Sequence, residues 1–158
     1  MTTRPFFVNS FGERYLYDVN RGAFNQIGAA NVFKHRFGDG LFAKDSLTIV
    51  VGTDSGLLLE YIQGHGVPEG SRFLFIELDD LLPSIEGEVD TASLDDNILL
   101  TGEQPLAELL QEIRFADYAN LNAVRLFESI GAVDDFIGGY RALVSKVNQQ
   151  REAIMWTH

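Results

Sequence analysis

The chain has 158 residues, with twelve Lys and Arg against twenty-three Asp and Glu, for a net charge of −11. That length fits one domain and buries roughly 68–70% of the unfolded chain's surface. A hydrophobic share of 46% with 22% charged residues excludes a disordered chain and a membrane-embedded one.

The negative charge sets the chain against nucleic-acid phosphates and anionic lipid headgroups. Cysteine is absent, which removes disulfides, thiol nucleophiles and thiolate metal sites. Apolar stretches such as Leu57-Leu58-Leu59 fall far short of the about 18–20 residues that span a bilayer. Met1-Thr2-Thr3-Arg4-Pro5 runs directly into Phe6-Phe7-Val8 and polar Asn9-Ser10 without the features of a secretory signal, so the default expectation is a cytoplasmic protein.

In chain order, Phe6-Phe7-Val8, a turn over residues 9–13 and Tyr15-Leu16-Tyr17 predict an N-terminal β-hairpin. Residues 22–40 mix Phe24, Ile27, Val32, Phe33 and Phe37 with breakers Gly28, Gly38 and Gly40; this blurred period reads as irregular, with some strand character. The run Ser46-Leu47-Thr48-Ile49-Val50-Val51 before Gly52 is the clearest strand, apolar enough to be buried on both faces of a parallel sheet. Thr53-Asp54-Ser55-Gly56 then supplies turn and cap chemistry, and residues 57–63 a short helix stopping at Gly64. Arg72-Phe73-Leu74-Phe75-Ile76-Glu77 restarts a buried strand, so residues 46–80 form a β-α-β unit. Its right-handed crossover brings Gly52 and Glu77 to the same carboxyl edge of the sheet.

Downstream, residues 83–96 read as an acidic loop, Asn97-Ile98-Leu99-Leu100 as a third strand, and Pro105 as the first turn of a helix reaching Ile113. Leu121, Val124 and Phe127 at three-residue spacing predict a helix over residues 117–130, and a last helix runs over 134–154, weakened at its start by Gly138-Gly139. Helical character persists to His158 with no cap signal, as in a chain cut from something longer. The expected architecture is α/β: a Rossmann-like two-layer or three-layer arrangement of sheet and helices, with an N-terminal β-hairpin and C-terminal helices. It forms one domain over 1–158, divided into a β-rich entry segment (1–45), a βαβ core (46–104) and a helical part (105–158).

The constellation with most chemistry is Gly52, Asp54 and Gly56 followed by Glu77. Nucleotide-type sites use this layout: glycines admit the ligand to the backbone, a helix N-terminus offers amide donors, and an acidic strand end accepts ribose hydroxyls. The loop is G-x-x-x-G, not G-x-G-x-x-G, and Asp54 places a negative charge where a pyrophosphate would sit. An S-adenosylmethionine ligand, cationic and free of phosphate, suits it better than a dinucleotide. The opposing expectation is a tight turn inherited with the fold and a solvated carboxylate at Glu77.

Asp54-Ser55-Gly56 matches the triplet of aspartic proteases, but it occurs once and a helix follows it. Ser55 is outside a G-x-S-x-G elbow, and His35, His65 and His158 are scattered without helical pairing, so neither a serine hydrolase nor a metal site is expected. Asp79, Asp80, Glu86, Glu88, Asp90, Asp95 and Asp96 lack calcium-loop spacing and read as a solvated surface. Phe6, Phe7, Phe11, Tyr15, Tyr17 and Phe24 read as core, with an exposed subset available to a partner.

The strings DSLTIVVGTDSGLLLEYI (residues 45–62) and RFLFIELDDLL (residues 72–82) resemble the N-terminal domain of the motility accessory factor family of flagellin-glycosylation proteins. From the first string to the end of the second, the resemblance spans about a quarter of the chain. The resemblance implies a Rossmann-like domain preceding a central domain that transfers a nonulosonic acid onto flagellin. No glycine-proline-serine signature of that central domain occurs here, so it implies an accessory, noncatalytic role beside a protein partner or fused transferase domain. Two other readings stand beside it. One is a small methyltransferase-type domain holding S-adenosylmethionine or a nucleotide through Gly52, Asp54, Gly56 and Glu77; the other is a homo-oligomerising module using the aromatic surface or Met155 and Trp156.

Overall fold

The computed structural model describes residues 5–111, 113–120 and 123–156. Leu121 and His158 lie outside them. Four parallel strands form the central sheet: β3 (Leu47–Val51), β4 (Arg72–Ile76), β5 (Ile98–Thr101) and β6 (Val124–Glu128), in spatial order β5-β4-β3-β6. β1 (Phe7–Val8) and β2 (Arg14–Tyr15) make the separate antiparallel hairpin. The architecture is α/β and Rossmann-like.

β3 is buried at all five positions. Sheet neighbours cover its edges and helices its faces, which is why it carries an uninterrupted apolar run and not an alternating one. α3 (Leu57–His65) joins β3 to β4 and buries Leu57, Leu58, Leu59 and Ile62. α4 (Leu82–Glu88) lies between β4 and β5. Right-handed crossovers put α3 and α4 on one face. The chain then returns across the sheet through α5 (Leu106–Leu110) and α6 (Ile113–Asn120) to β6. On that opposite face α8 (Tyr140–Trp156) packs against α5, β3 and β6.

Several expectations require correction. Residues 83–96 hold most of α4 and a 3-10 turn over Thr91–Ser93 instead of a continuous acidic loop. Residues 22–40 hold two helices, α1 (Ala23–Ile27) and α2 (Ala29–Phe37), instead of an irregular or strand-bearing stretch. Gly28, at φ 83°, accounts for the blurred period: it closes α1 through its amide to Phe24 O and begins α2 in the same residue. The entry segment is therefore more helical than β-rich.

Residues 117–130 are not one helix. α6 ends at Asn120 and the apolar positions Val124, Leu126 and Phe127 belong to β6. β6 pairs in parallel with β3 from Leu47↔Val124 to Val51↔Glu128.

The final helix is divided. α7 (Ile130–Asp134) ends at Asp135, φ 49°, and Gly138 and Gly139 at φ 89° and 102° turn the chain before α8 starts at Tyr140. No described helix is long and apolar enough to cross a membrane.

Candidate functional site at the carboxyl edge of the sheet

β3 runs outward to β4 and β5 on one side and to β6 on the other, so the strand order reverses between β3 and β6. In open α/β sheets a ligand enters the crevice at that switch point, beyond the carboxyl ends of the strands. Gly52 follows β3, Glu77 follows β4 and Ser129 follows β6. The fold thus brings Gly52, Asp54, Gly56 and Glu77 together at this edge, and all four are buried.

Glu77 is fully enclosed. Its Oε2 accepts from Thr53 N at 2.9 Å and Thr53 Oγ1 at 2.8 Å, and its Oε1 from Leu78 N at 2.9 Å and the Tyr140 hydroxyl at 2.5 Å. The Tyr17 hydroxyl joins at 3.0 Å from that of Tyr140. Burial raises the Glu77 carboxyl above its ordinary value, opposed by the Tyr140 hydroxyl, the Leu78 amide and Thr53. Burial likewise pushes both tyrosines up, helped by the charge of Glu77.

Asp54, also at 0% exposure, reaches the other way and receives Gly131 N at 2.7 Å and Ile130 N at 3.0 Å. It therefore holds the first turn of α7, alongside Ser129, whose Oγ caps the helix by accepting from Ala132 N. Asp54 and Ser55 have φ 49° and 62°, and Gly56 follows at 88°. That left-handed run costs the two non-glycine residues free energy, and the surrounding hydrogen bonds keep it in place.

The run also turns the loop back on the start of α3. Gly56 N donates to Thr53 O and Oγ1, Leu57 N to Asp54 O, and Leu58 N to Thr53 O. The amides that a helix N-terminus presents to phosphate are thus taken by the loop itself. Ser55 Oγ accepts from Leu16 N at 2.8 Å, tying the hairpin segment to the same loop.

The crevice is filled by the chain's own residues. A Cβ on Gly52 would lie 2.2 Å from Ser129 Oγ, and one on Gly131 would lie 2.6 Å from the Tyr17 ring and 2.8 Å from Asp54 Oδ1. A Cβ on Gly56 would meet Val89 Cγ2 at 2.8 Å. These glycines permit close packing between elements of the protein. A cleft of about 330 Å³ lies to one side, lined by Ser55, Glu60, Tyr61, Arg14 and Glu88. It carries the Arg14–Glu88 ion pair at 2.6 Å.

Tyr17, Tyr140 and Ser129 complete the network and carry no motif that sequence reading could find. Tyr17 and Tyr140 are 123 positions apart. Among the described residues no three His, Asp or Glu converge to hold a metal ion. His65 is exposed and stacks on Phe42 with 3.5 Å between ring centroids. Tyr15 and Phe24 are buried, whereas Phe7 and Phe11 are exposed.

Burial raises the Asp54 carboxyl from 3.8 to about 7, against the Gly131 and Ile130 amides and Ser129, which pull it down. The folded state therefore holds this proton more tightly than the unfolded chain. The resulting stabilisation is complete below pH about 4 and is lost as the pH rises through about 7. Urea titrations from pH 4 to 8 should show stability falling by a few kcal/mol. Asp54→Asn should flatten that slope while giving up one of the two amide hydrogen bonds. Parallel profiles for the two proteins would mean that Asp54 does not carry the proton.

Compared with family models, curated proteins and solved structures, the chain has no match in any of the three.

Proposed function

We propose that this chain is a noncatalytic, accessory Rossmann-like module of the flagellin-glycosylation type, which positions or docks a protein partner or transferase region. The observation supporting a noncatalytic role is the filled switch-point crevice. Tyr17, Tyr140 and the Ser129–Gly131 turn stand where a nucleotide or S-adenosylmethionine would lie, and all the oxygens of Asp54 and Glu77 accept hydrogen bonds from the protein. The flagellin-glycosylation context rests on the resemblance of residues 45–62 and 72–82.

Thermal-shift and calorimetric titrations with S-adenosylmethionine, NAD and a nucleotide-activated sugar test this reading. A ligand that binds the folded state raises its apparent stability by about 2.7 kcal/mol at a hundredfold excess over Kd. None of the three should do so. A saturable shift with any of them would require Tyr17 to leave the crevice and would establish the ligand-binding alternative instead.

A further inference from the structure

The β5 edge of the sheet is open. In the parallel ladder Phe73 N donates to Asn97 O at 2.8 Å and Glu77 N to Thr101 O at 2.9 Å, with Phe73↔Ile98 to Ile76↔Thr101 in register. Residues 97, 99 and 101 therefore turn their backbone groups to β4, while 98 and 100 turn theirs outward. Ile98 N is taken by Asp95 O at 2.9 Å, but Ile98 O, Leu100 N and Leu100 O have no hydrogen bond to any described residue. At the opposite edge, Arg151 Nε and Nη2 already hold Val124 O. Unpaired groups in a row along an edge strand are a template for another extended chain.

A groove of about 320 Å³ lies beside that edge. β5 lines it from Ile98 to Leu100, together with Glu86 of α4 and Leu94, Asp95 and Asp96 in the loop between them. Leu94, Leu99 and Leu100 are half-buried, whereas Glu86, Asp95 and Asp96 are exposed. The charges of the groove have one sign, since no Lys, Arg or His lines it. Residues 73–113 hold eleven Asp and Glu and no Lys, Arg or His. Cations from neighbouring segments are engaged: Arg14 pairs with Glu88, and Arg72 donates to Asn97 Oδ1 at 3.3 Å and lies over the Tyr118 ring. Asp95 Oδ1 accepts from Asn97 N, while Glu86 and Asp96 form no ion pair within 4 Å among the described residues. A second copy pairing edge to edge would set these carboxylates against their own likes in a chain of net charge −11. The edge therefore suits a foreign, basic strand.

We infer that β5 is the docking edge for an extended basic segment of a partner protein, which adds as a further strand through Ile98 O, Leu100 N and Leu100 O while its alternate Lys or Arg side chains reach over the groove to Glu86, Asp95 and Asp96. Side chains of an added strand alternate between the two faces of the sheet, so every second one falls on the α4 side. Main-chain bonds supply the affinity of such an addition and the alternate side chains its selectivity. The inference rests on the accessory reading, to which it gives a contact surface, and does not depend on the glycosylation context. The crevice titrations and the edge measurements report on different parts of the molecule, so one can fail without the other.

The probe is a fluorescein-labelled peptide of about eight residues alternating lysine and valine, measured by anisotropy against the full chain. It should bind in the range of about 10–100 μM and weaken as salt rises from about 50 to about 300 mM. A peptide with glutamate for lysine should bind at least about tenfold more weakly. Two further peptides separate strand pairing from plain charge attraction, one N-methylated at its lysines and the other at its valines. Amides of an added strand point alternately toward β5 and away from it. One methylated peptide should therefore lose about tenfold or more, while the other stays within about threefold of the parent. The double variant Glu86→Lys with Asp96→Lys, at exposed positions, should cost the Lys/Val peptide about tenfold or more at an unchanged melting temperature.

Equal affinity of the two methylated peptides would overturn the proposal, since charge alone would then hold the peptide. Undiminished binding of the glutamate peptide, or affinity unaffected by the double variant, would overturn it as well. So would the absence of binding at about 1 mM. A concentration-dependent dimer in sedimentation that the Lys/Val peptide dissociates would assign the edge to a second copy of the chain and displace the basic partner.

Discussion

Replacing Glu77 with alanine should cost the fold about 3–5 kcal/mol, the loss expected when one side of a buried, hydrogen-bonded charge network is removed. Four donors converge on this carboxylate: Thr53 N, Thr53 Oγ1, Leu78 N and the Tyr140 hydroxyl. Glu77, Thr53 and Tyr140 are at 0% exposure and Leu78 is buried too, so these donors have no ready substitute in bulk water. For a domain of this size each kcal/mol lowers Tm by about 2–4 °C, so the variant should melt about 6–20 °C below the parent. Glu77→Gln keeps one acceptor oxygen, turns an amide toward another donor, and should lose less.

Urea unfolding with circular dichroism measures both variants. The result also separates two functional readings. A carboxylate that served a ligand would be expendable for folding, so a Glu77→Ala protein within about 1 kcal/mol of the parent would remove the structural role argued here. It would leave Glu77 free to meet a ribose.

The second large effect is expected at Gly52. An alanine there would place its Cβ 2.2 Å from Ser129 Oγ, 3.1 Å from Ser129 Cβ and 3.3 Å from Tyr140 Cε1, at φ 88°. The left-handed backbone alone costs a non-glycine residue about 1–2 kcal/mol. Forcing atoms into a packed interior adds about 1–3 kcal/mol. Gly52→Ala should therefore destabilise by about 2–5 kcal/mol.

Combining it with Ser129→Ala removes the nearest clashing atom but also the α7 cap, itself worth about 1 kcal/mol. The double variant should therefore be more stable than the sum of the two single losses predicts, by about 1 kcal/mol or more. Strict additivity would mean that the Ser129 hydroxyl does not crowd Gly52. Chemical denaturation of the four proteins in the cycle decides the matter.

The β-α-β unit was legible because β3 and β4 are buried along their length and carry the β-branched and aromatic runs that such strands require. β5 was legible from its apolar run Ile98-Leu99-Leu100, although it is an edge strand with Leu99 and Leu100 only half-buried. β6 was not, because only Val124 is buried and the charged Arg125 and Glu128 interrupt its apolar run. Its Arg125 lies over Phe127 at 4.8 Å in place of a strict inside-outside alternation. Val124 and Phe127, three apart, then imitate the stripe of a helix.

The meeting of Gly52, Asp54, Gly56 and Glu77 at one edge could be read from crossover handedness. Their environment could not. Sequence spacing says where a carboxylate starts but not what fills the space before it, and the groups that fill it are Tyr17 and Tyr140, from opposite ends of the chain. The Thr53-Asp54-Ser55 string did carry a local signal, since Asp tolerates left-handed backbone and short polar side chains bond to nearby amides.

The arrangement around β3 bears on the order in which a ribosome-bound chain can complete its structure. The first sheet strand made is also the one flanked last: β6 joins it only after the β4 and β5 crossovers have been synthesised. Asp54 waits for amides 77 positions later, and Tyr17 for a hydroxyl 123 positions later. Until those residues emerge, one edge of β3 is open and Asp54 and Glu77 lack their late-arriving donors. Such distant pairings slow folding and leave an unpaired strand edge exposed to other chains. During synthesis this protein has a long interval in which an open β3 edge is its main aggregation hazard, and the closing of the tyrosine pair marks the end of that interval.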